Sequence, residues 1–198
     1  HQFNVAERGF STRFEAELDM RMNKKSSFSA FDVINKYSEE KLRLVFYNYG
    51  ELRAAAGMAR VIIENRQKRP IVSSEQLKNS LGKFLPKHRE NKILAQIYQA
   101  IRIEVNDEIG VIKSFLKQTI DILKQNGRLV CISYHSLEDR LVKYFIREGK
   151  FEGIAESDLY GNKYLPFKKI GGLIIPSEKE IKFNSRSRSG KLRIAVRI

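Results

Sequence analysis

A histidine placed where a strand gives way to a helix can take up, give or relay a proton near neutral pH. Residues 128–145 read RLVCISYHSLEDRLVKYF and hold such a histidine, His135. The six residues before it, Leu129 to Tyr134, suit a buried strand, and after it the apolar spacing turns helical. In open α/β sheets ligands sit at the carboxyl ends of strands, so His135 stands where a substrate would lie. The plainer alternative is a histidine that hydrogen-bonds a loop carbonyl. A second grouping, Arg186, Arg188 and Lys191, lies in NSRSRSGK, where serines and a glycine let backbone approach a phosphate.

The elements that position these residues follow from caps and breakers. Ser136 and Asp139 have capping-box spacing, so Ser136 is expected to cap a helix from Leu137 to about Arg147, with Glu138 and Asp139 favourable at its positive end. Upstream, Ser29 with Asp32, Ser38 before two glutamates, and Ser73 with Gln76 open helices. Gly50, Pro70 and Pro86 close them. Residues 51–66 and 91–125 repeat apolar residues at helical spacing, the latter with a bend near Asn106. Asn126-Gly127 stops that helix. LPFKKIGGLIIP suggests a strand pair broken at Gly171-Gly172, Ser177 with Glu180 caps a short helix, NSRSRSG is loop, and KLRIAVRI alternates as a strand. Residues 1–28 read as loop. An all-helical block thus precedes an α/β block. The uninterrupted apolar run 129–134 is expected to form a central strand of a mostly parallel sheet, covered on both faces.

Composition narrows the function. With 37 Lys+Arg against 23 Asp+Glu, the 198 residues carry a formal charge of +14. That excess favours a polyanionic partner, nucleic acid first, over a merely soluble basic protein. Lys24, Lys25, Arg66, Lys68, Arg69, Lys87, Arg89 and Lys92 fall at helix ends or loops of the helical block, each a candidate phosphate contact or a solvated cation. No apolar run reaches the roughly 18 residues of a membrane span, and the polar start HQFNVAERGF is not a signal peptide, so the expectation is cytoplasmic. The single cysteine, Cys131, excludes a disulfide framework and reads as an inert buried thiol. Three scattered histidines give no metal-ligand spacing, so no metal is expected.

Seven stretches, in order along the whole chain, resemble the ribosomal RNA small subunit methyltransferase H family. They are AERGFS at 6–11, LDMRM at 18–22, YGEL at 49–52, QAIRIEVNDE at 99–108, ISYHSLEDR at 132–140, PSEKEI at 176–181 and NSRSRSGKLRIA at 184–195. Asn23 departs from the family by standing where LDMRM is followed by an acid. The resemblance implies an α/β chain: part of a class I, Rossmann-like, S-adenosylmethionine methyltransferase fold with an inserted all-helical domain. It divides the chain into residues 1–3 and 107–198, belonging to the methyltransferase domain, and residues 4–106, an inserted substrate-recognition domain. It implies methylation of the N4 amine of a cytosine in 16S ribosomal RNA near the decoding centre. The family's glycine-rich cofactor loop, the acid-ended strand and the DLGVSS strand have no counterpart here. They are expected upstream, and the chain alone is expected to be inactive. Gln2 is the one cofactor contact that carries over.

That chemistry needs acceptors for the N4 hydrogens, a route for a proton, and alignment of amine with methyl sulfonium. On the resemblance, His135 would accept or relay the proton, Asp19 would accept from N4, and Arg21 would hold a phosphate or the base carbonyl. The alternative for Asp19 and Arg21 is a mutual structural ion pair. The competing function is a non-enzymatic RNA-binding protein that keeps only the docking surface.

Overall fold

The computed structural model describes Phe10 and residues 15–198. It divides into two compact units with a boundary between residues 108 and 109. Gln2 and most of AERGFS lie outside the described residues.

The first unit is helical: α1 (Ala30–Lys36), α2 (Glu39–Asn48), α3 (Ala55–Lys68), α4 (Ser74–Ser80) and α5 (Glu90–Asn106). The caps stand where the sequence puts them. Asp32 Oδ2 accepts from Ser29 N at 2.8 Å, Ser38 Oγ from Lys41 N at 3.2 Å and Ser73 Oγ from Gln76 N at 3.3 Å. Two boundaries differ from expectation. Glu51 takes a left-handed conformation (φ 51°), which holds the start of α3 back to Ala55. The helix expected to run to Leu85 stops at Ser80 and tightens into a 3-10 turn, Gly82–Phe84. The bend near Asn106 is a full break, because Asp107 caps α5 in the left-handed region (φ 46°) and α6 (Glu108–Ile122) starts anew. A core that includes Ile34, Leu42, Phe46, Met58, Ile62, Ile97 and Ile101 is sealed from water. The irregular segment 15–28 is tied in by Leu18 N to Val72 O and Ser74 N to Ala16 O, at 3.1 and 2.9 Å.

The second unit holds β1 (Arg128–Ser133), α7 (Ser136–Glu148), β2 (Phe167–Ile174), α8 (Glu178–Phe183) and β3 (Lys191–Arg197). Its sheet has the order β1-β3-β2 with both pairings antiparallel. This corrects the expectation for 129–134: among the described residues β1 is an edge strand with an antiparallel neighbour, not a central strand among parallel ones. An apolar run encodes burial, not the direction of its partner. Nor are both faces covered among the described residues. Leu129 and Ser133 are buried on the face under α7, whereas Val130 and Ile132, 54% and 60% exposed, point to the other face. The covered face packs Leu129, Ala195 and Phe167 against Leu116, Val142, Phe145 and Ile146. Gly171-Gly172 does not separate two strands either. Gly171 takes φ 62°, the register against β3 shifts between Ile170 and Ile174, and β2 continues through a bulge. The NSRSRSG stretch is likewise not plain loop but a 3-10 turn, Ser185–Ser189, capped by Asn184.

Candidate functional site

β1 delivers His135 to the start of α7, and the cap lies one residue earlier than the sequence suggests. His135, not Ser136, is the N-cap. Its Nδ1 accepts from Glu138 N at 3.4 Å, while Glu138 Oε2 accepts from Tyr134 N at 2.8 Å and from His135 N at 3.4 Å. This is a capping box built on an imidazole instead of a hydroxyl. Burial pushes the Glu138 carboxyl up, but His135 and the Tyr134 amide outweigh it and leave the group below the usual carboxylate range. His135 Nε2 is buried and makes no well-formed hydrogen bond among the described residues, although Glu138 Oε1 lies 3.1 Å away, close enough for an ion pair when the ring is protonated. With Nδ1 accepting, a neutral ring carries its proton on Nε2. The strand end therefore presents a buried donor whose near neighbour is the Glu138 carboxylate, in poor hydrogen-bond geometry.

In the first unit, Asp19 and Arg21 face each other. Arg21 Nε and Nη2 donate to Asp19 Oδ1 and Oδ2 at 2.6 and 3.1 Å, and Arg21 Nη1 donates to Ser26 O at 2.6 Å. Met20 between them is fully buried with φ 56°, which turns both neighbours to the same side. Asn106 fixes this turn from the end of α5: its Nδ2 donates to Met20 O at 2.8 Å, and its Oδ1 accepts from Met22 N at 2.7 Å. The sequence predicts only a bend at Asn106, although an amide beside a helix end is the residue type that can clasp a passing segment on both sides. Asn106→Ala is expected to lower unfolding free energy by about 1–2 kcal/mol, since two backbone groups lose their partner. Urea denaturation with an unchanged m-value would show it; an unchanged midpoint would mean water replaces the amide at no cost.

The cations divide by what they touch. Arg66 is committed to structure, donating to Ile34 O and Tyr37 O at 2.7 and 2.6 Å and so capping the carboxyl end of α1. Lys24, Lys25, Lys68, Arg69, Lys87, Arg89 and Lys92 are exposed. In the second unit Arg186 and Arg188 are exposed on the 3-10 turn, and Lys191 lies 3.7 Å from Asp139. Asp139 is the residue whose importance the sequence concealed. It is buried, and Arg193 of β3 grips both its oxygens at 2.7 and 2.9 Å. The Arg193 guanidinium holds its carboxyl below the usual range. The pair joins the first turn of α7 to the middle strand, and so steadies the segment that carries His135. Cys131 is half-buried and burial pushes its thiol up, in keeping with an unreactive sulfur. No helix among the described residues is long and apolar enough to cross a membrane.

Comparison with known proteins agrees with the motifs. The model of the MraW methylase family matches residues 1–198. A protein of Flavobacterium johnsoniae named ribosomal RNA small subunit methyltransferase H is 60% identical over all of this chain. One of Christiangramia forsetii with the same name is 61% identical, again over all of this chain. The chain spans 66% of the length of each of these relatives. A full-length match to the family model, at such identity, leaves one assignment: the chain belongs to the MraW methylase family.

Proposed function

We propose that this chain forms the larger part of an S-adenosylmethionine-dependent methyltransferase that modifies the N4 amine of a cytosine in 16S ribosomal RNA near the decoding centre. In this reading residues 107–198, with 1–3, complete a class I methyltransferase sheet, and residues 4–106 form an inserted domain that docks the RNA. The protein would work in the cytoplasm on 16S ribosomal RNA or the small ribosomal subunit. The observation that carries the reading is His135: a buried Nε2 donor without a well-aligned partner, at the carboxyl edge of a sheet, in a chain whose relatives bear the name of a ribosomal RNA methyltransferase. A buried donor without a well-formed hydrogen bond costs stability, and a role in binding or catalysis is one reason a protein keeps one.

S-adenosylmethionine, when bound, supplies a methyl group already activated as a sulfonium, so no covalent enzyme intermediate is needed. Gln2 is the residue proposed to contact it. His135, with Nδ1 engaged by Glu138, enters as a hydrogen-bond donor that orients a polar group of substrate, not as the first acceptor of the amine proton. Acceptance from N4 falls to Asp19. Arg21 donates to it from its backbone N as well as from Nε and Nη2, so N4 would share an oxygen with that ion pair. Arg21 then sets the direction of the carboxylate and meets a phosphate or the base carbonyl. Arg186, Arg188 and Lys191 contact RNA phosphates.

The test is methyl transfer by the polypeptide that includes the upstream coding sequence. Incubated with labelled cofactor and unmodified small subunits, it should yield N4-methylcytidine in digested 16S RNA. RNA binding without any transfer would favour the non-enzymatic alternative, and label on another nucleoside would overturn the proposed position.

A further inference from the structure

A second site lies in the 109–198 unit, away from the strand end that carries His135. The outer edge of β2, α7 and the loop before β2 enclose a cavity of about 690 Å³. Its walls mix two chemistries. Ile146, Leu165, Ile194 and Ile198 give it an apolar floor. Lys143, Arg147, Lys163, Lys168, Lys169 and Arg193 also contribute to its lining, with the consecutive Lys168 and Lys169 flanking β2 on its two faces.

Carboxylates neutralise only part of this charge. The buried Glu148 takes Arg147 and Lys163, each at 2.7 Å, and Asp139 takes Arg193. Lys143, Lys168 and Lys169 are exposed and have no carboxylate partner among the described residues. Glu148 also accepts from Ala155 N at 3.0 Å, which fastens the loop that walls the cavity. With Lys163 on one oxygen, the Glu148 carboxyl is pulled down to about 2, so the loop stays fastened at neutral pH. That loop turns on Asp158, whose Oδ1 accepts from Tyr160 N and Asn162 N, and holds Tyr160 and Tyr164 out at 91% and 69% exposure. Tyr144 of α7 already carries a flat cation, the Arg147 guanidinium, 4.5 Å above its ring.

Unpaired ammonium groups and an apolar hollow large enough for a base, with exposed tyrosines beside the hollow rather than in its walls, are together the chemistry of single-stranded nucleic acid recognition. A duplex would offer the lysines its phosphates but leave the hollow empty. An acidic peptide would pair with the lysines but find no use for the rings. We infer that this groove at the β2 edge is a binding site for single-stranded RNA, with phosphates on Lys143, Lys168 and Lys169 and a base in the hollow beside Leu165. The inference rests on the proposed action on ribosomal RNA and extends it with a second track for the substrate, separate from Arg186, Arg188 and Lys191.

The experiment is fluorescence anisotropy with a labelled, unstructured RNA of about a dozen nucleotides, across a salt series, for the unaltered protein and for Lys143→Ala/Lys168→Ala/Lys169→Ala. Each single-strand phosphate contact contributes about 0.7 to the log–log salt slope, so the triple variant should lose about 2 from it. The three side chains are exposed, and an unchanged melting temperature will show that the variant folds. RNA carrying 4-thiouridine should crosslink within 160–169. A slope that stays as it was, crosslinks confined to 184–191, or polyphosphate without bases competing as well as RNA of equal length would each overturn the site. Absence of methyl transfer by the longer polypeptide, with the slope change intact, would count against the catalytic reading while leaving this groove standing.

Discussion

Asp139→Ala is expected to destabilise the 109–198 unit by about 3 kcal/mol, because it strands the half-buried Arg193 guanidinium without its carboxylate. At roughly 4–8 °C per kcal/mol for a unit of this size, that lowers the unit's Tm by roughly 12–24 °C. Asp139→Asn should cost less, since it keeps the shape and one acceptor. The effect has a pH signature. A carboxyl held below its ordinary value by a cation stabilises the fold above that ordinary value, near pH 4, and loses the contribution as pH falls below it. Unaltered protein and variant should therefore differ most at neutral pH and converge in acid. A gap of less than about 0.5 kcal/mol at pH 7 would show that water reaches Arg193 readily and that the clasp is ornamental to the fold.

His135→Ala, made in the polypeptide with its upstream sequence, should reduce methyl transfer by about 10²-fold, the usual loss when one preorganised donor is removed. Loss of the cap should cost only about 1 kcal/mol of stability. His135→Asn separates the two roles. Asparagine is a good N-cap, so it should restore stability, but it cannot place a donor where Nε2 lies, so turnover should stay low. If the asparagine variant recovers both, or if alanine collapses Tm while the folded remainder methylates normally, His135 is a helix cap and nothing more.

What was legible in the sequence was local. Ser29, Ser38, Ser73 and Ser177 act within their own turn, and each forms the cap its spacing announces. His135 itself escaped, because imidazole is not among the usual capping side chains and Ser136 next to it is. Pairing was not legible. The run 129–134 is apolar whether its neighbour is parallel or antiparallel, and whether one face or two will be covered. Asp139 was visible as a helix-start acid, yet its partner Arg193 is 54 residues away, and no periodicity links them. Asn106 clasps a segment 86 residues upstream, with the same result. Glu51 and Asp107 take backbone conformations that their residue types do not advertise, so the boundaries of α3 and α5 moved.

β3 lies between β1 and β2, although it is the last of the three to be translated. Neither earlier strand has a ladder partner in the unit until β3 emerges, and Ser133 must wait for Lys191, 58 residues later. Sheet formation in this unit is thus non-local, and closing such long separations is slow. In vectorial synthesis, α7 and β1 leave the ribosome as a helix and an unpaired apolar segment, with Val130 and Ile132 bare. A ribosome stalled just before Lys191 would hold a nascent chain with this unit's sheet unformed, whereas the helical unit upstream would already possess all of its own core.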